Sequence, residues 1–396
     1  MKHRYIKAIA ATGLGLAMAM ANAALAQDNQ KDLKVGFMGV LSGVQAALGQ
    51  DSYDGFMLYL KNNGGKLGNR HIDVIKVDAQ LKPVVGVQLA KRLIDKDGVP
   101  IIVGVTFSNV MLAVHSPITK KEVFLIGTNA GPSQIAGKEC SPYFFSTSYQ
   151  NDQKAESMGS YAKSKGYKRI ITMVPNYQSG FDFVTGFKRY YQSPLLDEIY
   201  TPLNQQDFSA ELAKIASEKP DAIYVFYPGG LGVNFLRQYQ QAGLLGKIPV
   251  LSTSTTDAIN LPAQRESALG VITSPVWGPD LDNAANKKFV AEFEKEYKRI
   301  PSDFAAQSYD GAQLLDSAIK KVNGNVQDKA AFMAALKQAD FSSVRGDFKF
   351  GNNNFPIQDL SVFEVVKDAQ DRFTLKKIAT PLKAQQDAYH NDCAMQ

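Results

Sequence analysis

Residues 101–109 read Ile-Ile-Val-Gly-Val-Thr-Phe-Ser-Asn. An uncharged run of β-branched residues, with no polar residue on alternate positions, is the pattern of a strand buried on both faces. The polar end of the stretch leads into Val110, Met111 and Val114, which share one helical face. Val123–Gly127 then repeats the strand pattern. Strand, short loop, helix and strand in this order predict a parallel pair joined by a helical crossover.

The same alternation extends in both directions. Upstream lie the strand-like runs Leu33–Val40 and Ile72–Val77. Downstream lie Ile170–Val174, Ala222–Tyr227, Pro249–Ser252 and Val271–Ser274. Phe208, Leu212 and Ile215 give one helical period before Pro220. Phe289, Phe293 and Tyr297 give another, with Glu294 and Lys298 paired on the outside. Asn151 or Asp152 is expected to cap a helix carrying Ala155, Met158 and Ala162, closed by Gly166.

The pattern runs to Ser148 and restarts at Ile170. For 396 residues this matches a prior of roughly two domains. The fold class expected is α/β, with two doubly wound parallel-sheet lobes. No Pro/Ser-rich linker separates the sets, so ordered crossovers are expected rather than a tether. After Ser274 come helices at Asn283–Lys298, Asp303–Val322 and Lys329–Ala339. Strand-like pieces follow at Phe348–Phe350 and Leu360–Val366. This tail holds no complete strand–helix–strand set, so it should complete the two earlier sheets, and the chain should cross between lobes more than once.

Lys2, Arg4 and Lys7 precede an apolar run, Ala8–Met20, and small residues Ala24 and Ala26. This is the layout of a secretory signal peptide, residues 1–26, cut after Ala26. The protein is therefore expected in the periplasm. Three of the 44 basic residues lie in that segment, so the remainder carries 41 against 38 acidic ones, a charge of +3. That balance excludes nucleic acid as a partner.

Catalytic and cofactor motifs do not stand up. Gly230-Leu-Gly232 follows a strand and opens a helix, but Phe235 occupies the third position of a dinucleotide fingerprint. It reads as a tight turn whose helix N-terminus faces the cleft. Gly64-Gly65-Lys66 lacks the spacing of a P-loop. His71, His115 and His390 are not spaced as metal ligands. Neither a cofactor nor a metal nor an enzyme activity is expected. In an exported chain, two lone cysteines are expected to pair as Cys140–Cys393.

Ligands of open parallel sheets sit beyond the carboxyl ends of the strands. The loops there are rich in hydroxyls, amides and glycine. Leu41–Gln45 supplies Ser42 and Gln45. Thr106–Asn109 supplies Phe107, Ser108 and Asn109, with a helix N-terminus suited to a carboxylate. Ser108 reads either as a cap or as a ligand contact. Asn129, Ala130 and Gly131 follow the next strand. Tyr177, Tyr227, Ser254 and Trp277 stand at strand ends of the second set, where aromatics suit a cleft that stacks on an organic ligand or else belong to the core.

Val35–Gly43, Gly49-Gln-Asp51, Asn62-Asn-Gly-Gly-Lys-Leu-Gly68, Asn176-Tyr-Gln-Ser-Gly180 and Phe304-Ala-Ala-Gln-Ser-Tyr-Asp310 together resemble the periplasmic leucine/isoleucine/valine-binding protein family. These are the type I solute-binding proteins of ABC importers. The resemblance implies two lobes joined by three crossovers, closing on a ligand by hinge bending. It divides the chain into an N-terminal lobe (27–146 plus 276–345) and a C-terminal lobe (147–275 plus 346–396). It places Ser108 and Asn129–Gly131 at a ligand carboxylate, Tyr177 and Tyr227 on the facing lobe, and Phe304 against the ligand side chain. It implies a monomer that binds a small carboxylate and serves an inner-membrane permease. A sensor presenting its ligand to a signalling partner would have the same fold. Amino-acid binders of the family set an acid near Ser254 against the ligand ammonium. Here the loop offers hydroxyls, with Asp257 slightly beyond and Asp152 as a compensating candidate. With Phe107, Tyr149, Tyr177, Tyr227 and Trp277 as aromatic supply, an aromatic acid is the favoured ligand and an amino acid the next.

Overall fold

The computed structural model describes residues 31–395; the expected signal peptide and its expected cut lie outside them. The first sheet has the order β2-β3-β1-β4-β5-β6. Its strands are β1 (Leu33–Gly39), β2 (Lys66–Leu67), β3 (Arg70–Asp78), β4 (Ile101–Gly104), β5 (Phe124–Gly127) and β6 (Phe144–Ser146). All pair in parallel except the hairpin strand β2. Helices α1 (Ala46–Asn62), α2 (Pro83–Asp95) and α3 (Ser108–Thr119) connect them. Adjacent residues on a strand face opposite sides of a sheet. Phe37 accordingly enters one core with Phe56, Val103 and Phe124, while Met38 enters another with Ile102, Val114 and Leu125.

The second lobe opens with α4 (Asn151–Ser164). Then come β7 (Ile170–Pro175), α5 (Gln178–Tyr191), β8 (Asp197–Thr201), α6 (Ser209–Glu218), β9 (Ala222–Val225), α7 (Gly230–Gln241), β10 (Val250–Ser252) and β11 (Ile272–Thr273). The chain then returns to the first lobe. Helices α8 (Ala284–Tyr297), α9 (Asp303–Lys321) and α10 (Lys329–Lys337) follow, and Leu315, Ile319 and Leu336 join the core of Phe37 and Phe124. Strands β12 (Lys349–Phe350), β13 (Pro356–Lys367) and β14 (Phe373–Gln385) finish the second sheet, in the order β12-β13-β11-β10-β9-β7-β8 with β14 on β13.

Several elements differ from the sequence expectation. β2, β6 and β8 were not expected: β2 has two residues, β6 has three, and β8 is a half-exposed edge strand, Asp-Glu-Ile-Tyr-Thr. The long hairpin β13–β14 puts every strand of the tail on the second sheet. The residues between β12 and β13 nevertheless bond to the first lobe. Ser146 N donates to Asn354 O, and Asn354 Nδ2 to Phe144 O. The last residues also leave the second sheet, and Cys393 forms the expected disulfide with Cys140, with Cα atoms 5.6 Å apart.

Arg345 holds the crossovers together. Its buried guanidinium donates to Asp310 Oδ2 (3.2 Å), the carbonyls of Thr147 (2.5 Å) and Ser148 (2.7 Å), and Gln358 Oε1 (2.8 Å). Asp310 belongs to the first lobe, Thr147 and Ser148 to a crossover and Gln358 to the second sheet, so the planar donor fork fixes their relative positions.

Candidate ligand-binding cleft

In both sheets the first parallel strand along the chain is flanked by the second and third: β3-β1-β4 in one lobe and β8-β7-β9 in the other. The strands stay parallel, but the chain moves to one side of β1 for β3 and to the other for β4, and likewise around β7 for β8 and β9, and ligands collect at such switch points. The two switch points face one another. A cavity between them is lined from the first lobe by Leu48, Thr106, Phe107, Asn129, Ala130 and Phe304. From the second it is lined by Tyr177, Ser179, Phe183, Phe226, Pro228 and Ser254, with Tyr149 and Asn151 at the crossover.

The backbone at these loops is bent in unusual ways. Val105 has φ +68° and Ser254 φ +52°. A β-branched residue in the left-handed region costs on the order of 1–3 kcal/mol, and such strain gathers at functional sites. At Val105 the bend ends β4 and turns Thr106 and Phe107 toward the other lobe. Gly131 lets the neighbouring loop lie against the crossover: a Cβ there would stand 2.0 Å from Tyr149 O.

The polar wall is a connected network. Asn129 Nδ2 donates to Thr106 O (2.6 Å), and its Oδ1 accepts from Tyr149 OH (3.0 Å). Asn151 Nδ2 donates to Ser108 Oγ (3.1 Å) and Asp182 Oδ2 (2.8 Å), while its Oδ1 accepts from Gly131 N (3.1 Å). Burial pushes the Asp182 carboxyl up to about 6. The apolar wall is aromatic. Tyr177 stacks on Phe226 with centroids 6.1 Å apart and faces Phe107 across the cleft at 6.4 Å. Phe183 meets Phe226 edge-on.

The lobes stand closed. Gln45 Nε2 of the first lobe donates to Pro228 O of the second at 3.2 Å. The space left free in the cavity is about 20 Å³, the room of about one water molecule. A larger ligand therefore enters as the lobes part.

Of the residues expected to bind a ligand, Phe107, Asn129, Ala130, Tyr149, Tyr177, Ser254 and Phe304 line the cavity. Ser108 stands behind the wall. It is the first residue of α3 and Phe107 is the N-cap, so Ser108 is no cap; its hydroxyl accepts from Ser179 Oγ (2.8 Å) and Asn151. Gly131 is also behind the wall. Gln45 bonds across the lobes, and Ser42 is exposed at the rim.

Four expected cleft contacts are corrected. Tyr227 points into the opposite core, against Phe208 and Phe235, with its hydroxyl 3.2 Å from Thr201 Oγ1; its neighbour Phe226 takes the cleft. Trp277 is a core residue whose Nε1 donates to Asn286 Oδ1 (2.6 Å). Asn109 turns to Leu81 O. Asp152 faces Arg189 (2.8 Å) and Tyr389 OH (2.9 Å), and so offers the cavity no charge. The cap of α4 is Gln150, in a capping box with Gln153, rather than Asn151 or Asp152. That leaves Asn151 free for the wall. Asp257 is engaged by Ile259 N and Asn260.

Two facing α/β lobes around a closed polar-and-aromatic cavity define a receptor that shuts on a small molecule. The chain belongs to the periplasmic binding protein family, which it matches over residues 32–370. It is 29% identical over 386 residues to a Leu/Ile/Val-binding protein homolog of Brucella melitensis, covering 95% of this chain and 97% of that one. The structure superposes with TM-score 0.87 on an ABC transporter solute-binding protein of R. palustris in complex with benzoate. That protein is 32% identical, with 92% of this chain and 99% of the other covered. A solute-binding protein of Rhodopseudomonas palustris BisB5 in complex with 3,4-dihydroxybenzoic acid gives 0.83 and 30%, covering 91% and 99%. The protein is thus a solute-binding protein of the ABC-transporter kind rather than an enzyme.

Proposed function

We propose that the cleft binds a small carboxylate, with an aromatic acid as the favoured class, and that the closed complex is presented in the periplasm to an inner-membrane permease. The observation that carries this reading is the pairing of Phe107, Tyr177 and Phe226 with the N-terminus of α3. The rings offer faces to an aromatic plane. The first N–H groups of a helix have no partner within it and favour an anion. Closure follows from tighter binding to the closed state alone. The benzoate and dihydroxybenzoate complexes of the two similar solute-binding proteins support the same class.

Thermal unfolding with a panel of carboxylates tests the reading. Benzoate or a hydroxybenzoate at a hundred times its Kd should stabilise the protein by about 2.7 kcal/mol through mass action. Failure of every aromatic and aliphatic acid to raise the midpoint overturns it.

A further inference from the structure

Among the described residues no charged side chain lines the cavity, yet a full charge stands directly behind its wall. Lys154, in the first turn of α4, is buried to 1% exposure. Its ammonium donates to Ser254 Oγ at 2.8 Å and to Asp303 Oδ2 at 2.8 Å, and lies 4.4 Å from the centroid of the Tyr149 ring. Ser254 and Tyr149 both line the cavity. Asp303 opens α9 of the first lobe, so this ion pair also spans the closed cleft.

The direction of the hydrogen bonds matters. An ammonium has donors only, so Ser254 Oγ accepts from it and keeps its own O–H to donate. A hydroxyl beside a cation is a strengthened donor. Thr106 Oγ1 similarly accepts from Val40 N (3.2 Å), which leaves its O–H available on the cavity side. The wall therefore presents donors to an anion. For a ligand ammonium it presents the reverse. The Tyr149 face already carries a cation, Asp303 is already paired, and a second ammonium beside Ser254 would be repelled by Lys154 with no water to screen it.

We infer that Lys154 is the specificity-determining residue of the cleft, a built-in cation behind Ser254 and Tyr149 that admits carboxylates lacking an amine and turns away zwitterions. This rests on the reading of the cleft as a carboxylate site. It accounts for a lysine kept where burial disfavours its charge.

The experiment is calorimetric titration of the full mature protein with matched pairs: 3-phenylpropionate against phenylalanine, 4-methylpentanoate against leucine, and benzoate as a further acid. Wild type should prefer the amine-free member of a pair at least 100-fold. In the charge-neutral Lys154→Met/Asp303→Asn variant that preference should fall below tenfold. A general loosening of the fold would weaken both members alike and leave the ratio standing. Lys154→Met alone removes the cation and leaves the Asp303 carboxylate able to pair with a ligand ammonium, so it should lower the preference; this variant decides the matter if the double variant does not fold. A wild-type ratio below tenfold, an unchanged ratio in the folded double variant, or an unchanged ratio in Lys154→Met each overturns the role of Lys154. Binding of none of the five compounds by wild type overturns the parent reading of a carboxylate site instead, and the assignment of Lys154 falls with it.

Discussion

Gln45 and Pro228 touch across the cleft: the amide of one lobe donates to the main-chain carbonyl of the other at 3.2 Å. The contact exists only when the lobes are shut, so its energy belongs to closure and not to folding. Gln45→Ala should weaken ligand binding about two- to tenfold, the worth of one hydrogen bond of about 0.5–1.5 kcal/mol. The unfolding midpoint of the free protein should stay put. Titration calorimetry and thermal unfolding check the two halves. The partner loop is sterically matched as well. Gly229 has φ +57°, and a Cβ there would stand 2.0 Å from Gln45 Oε1. The Gln45 amide can swing aside, but the φ of +57° with ψ −138° is one an L side chain rarely adopts, so Gly229→Ala should lower stability by about 1–3 kcal/mol, read by urea denaturation.

Phe226 and Tyr227 are adjacent and have opposite duties. Phe226→Leu should lower affinity for an aromatic acid, and because the ring also packs on Phe183 in the core it should cost about 1–2 kcal/mol of stability as well. Tyr227→Leu should cost stability and leave affinity nearly unchanged. It removes a ring packed between Phe208 and Phe235 and the partner of Thr201. A cost of about 1–3 kcal/mol follows from imperfect repacking. Paired denaturation and binding curves separate the two outcomes.

Arg345 is the test of the hinge. Arg345→Met leaves Asp310 buried with no counter-charge and frees two crossover carbonyls. Breaking one side of a buried pair costs about 3–5 kcal/mol, measurable by urea denaturation. Adding Asp310→Asn should restore part of that loss, because the orphaned charge disappears.

His115 should govern part of the acid response. It is buried edge-on against Phe144, and burial alone lowers its pKa to about 4 from the usual 6.5. The unfolded chain therefore takes up a proton between pH 6.5 and 4 that the folded protein refuses. The contribution of His115 to stability is present above pH 6.5, falls as pH drops toward 4, and levels off below. Buried Glu156, raised to about 7, works in the opposite direction. The stability difference between wild type and His115→Phe isolates the histidine. It should change by on the order of 3 kcal/mol across that window; a flat difference means that the ring titrates normally.

Most strands were legible because buried parallel strands leave uninterrupted Val/Ile runs. β6, β8 and β14 were not: one is too short to show a period, and the other two are half-exposed strands whose charged side chains read as surface. The cleft loops were legible from their hydroxyls, amides and position after strands. Which residue of a loop faces inward was not. One step along the chain swaps Phe226 for Tyr227, and composition is blind to that step. Lys154 sits on a helix among Asp152, Glu156 and Lys163, which reads as a solvated face. Only its packing beneath Ser254 and Tyr149 shows an ammonium in the dry interior. Trp277 misled for the converse reason, since an aromatic at a crossover serves a core as readily as a cleft.

The bond between Cys140 and Cys393 turns the stretch between them into one covalent ring. The whole second sheet and all the helices that return to the first lobe lie inside that ring. A single proteolytic nick at any surface loop from α4 to β14 would therefore release no fragment. Under non-reducing conditions the cut protein should migrate as one species, and only thiol would part it into two. For a receptor exposed to extracytoplasmic proteases, a first cut is then an event the molecule can survive with both lobes still attached to each other.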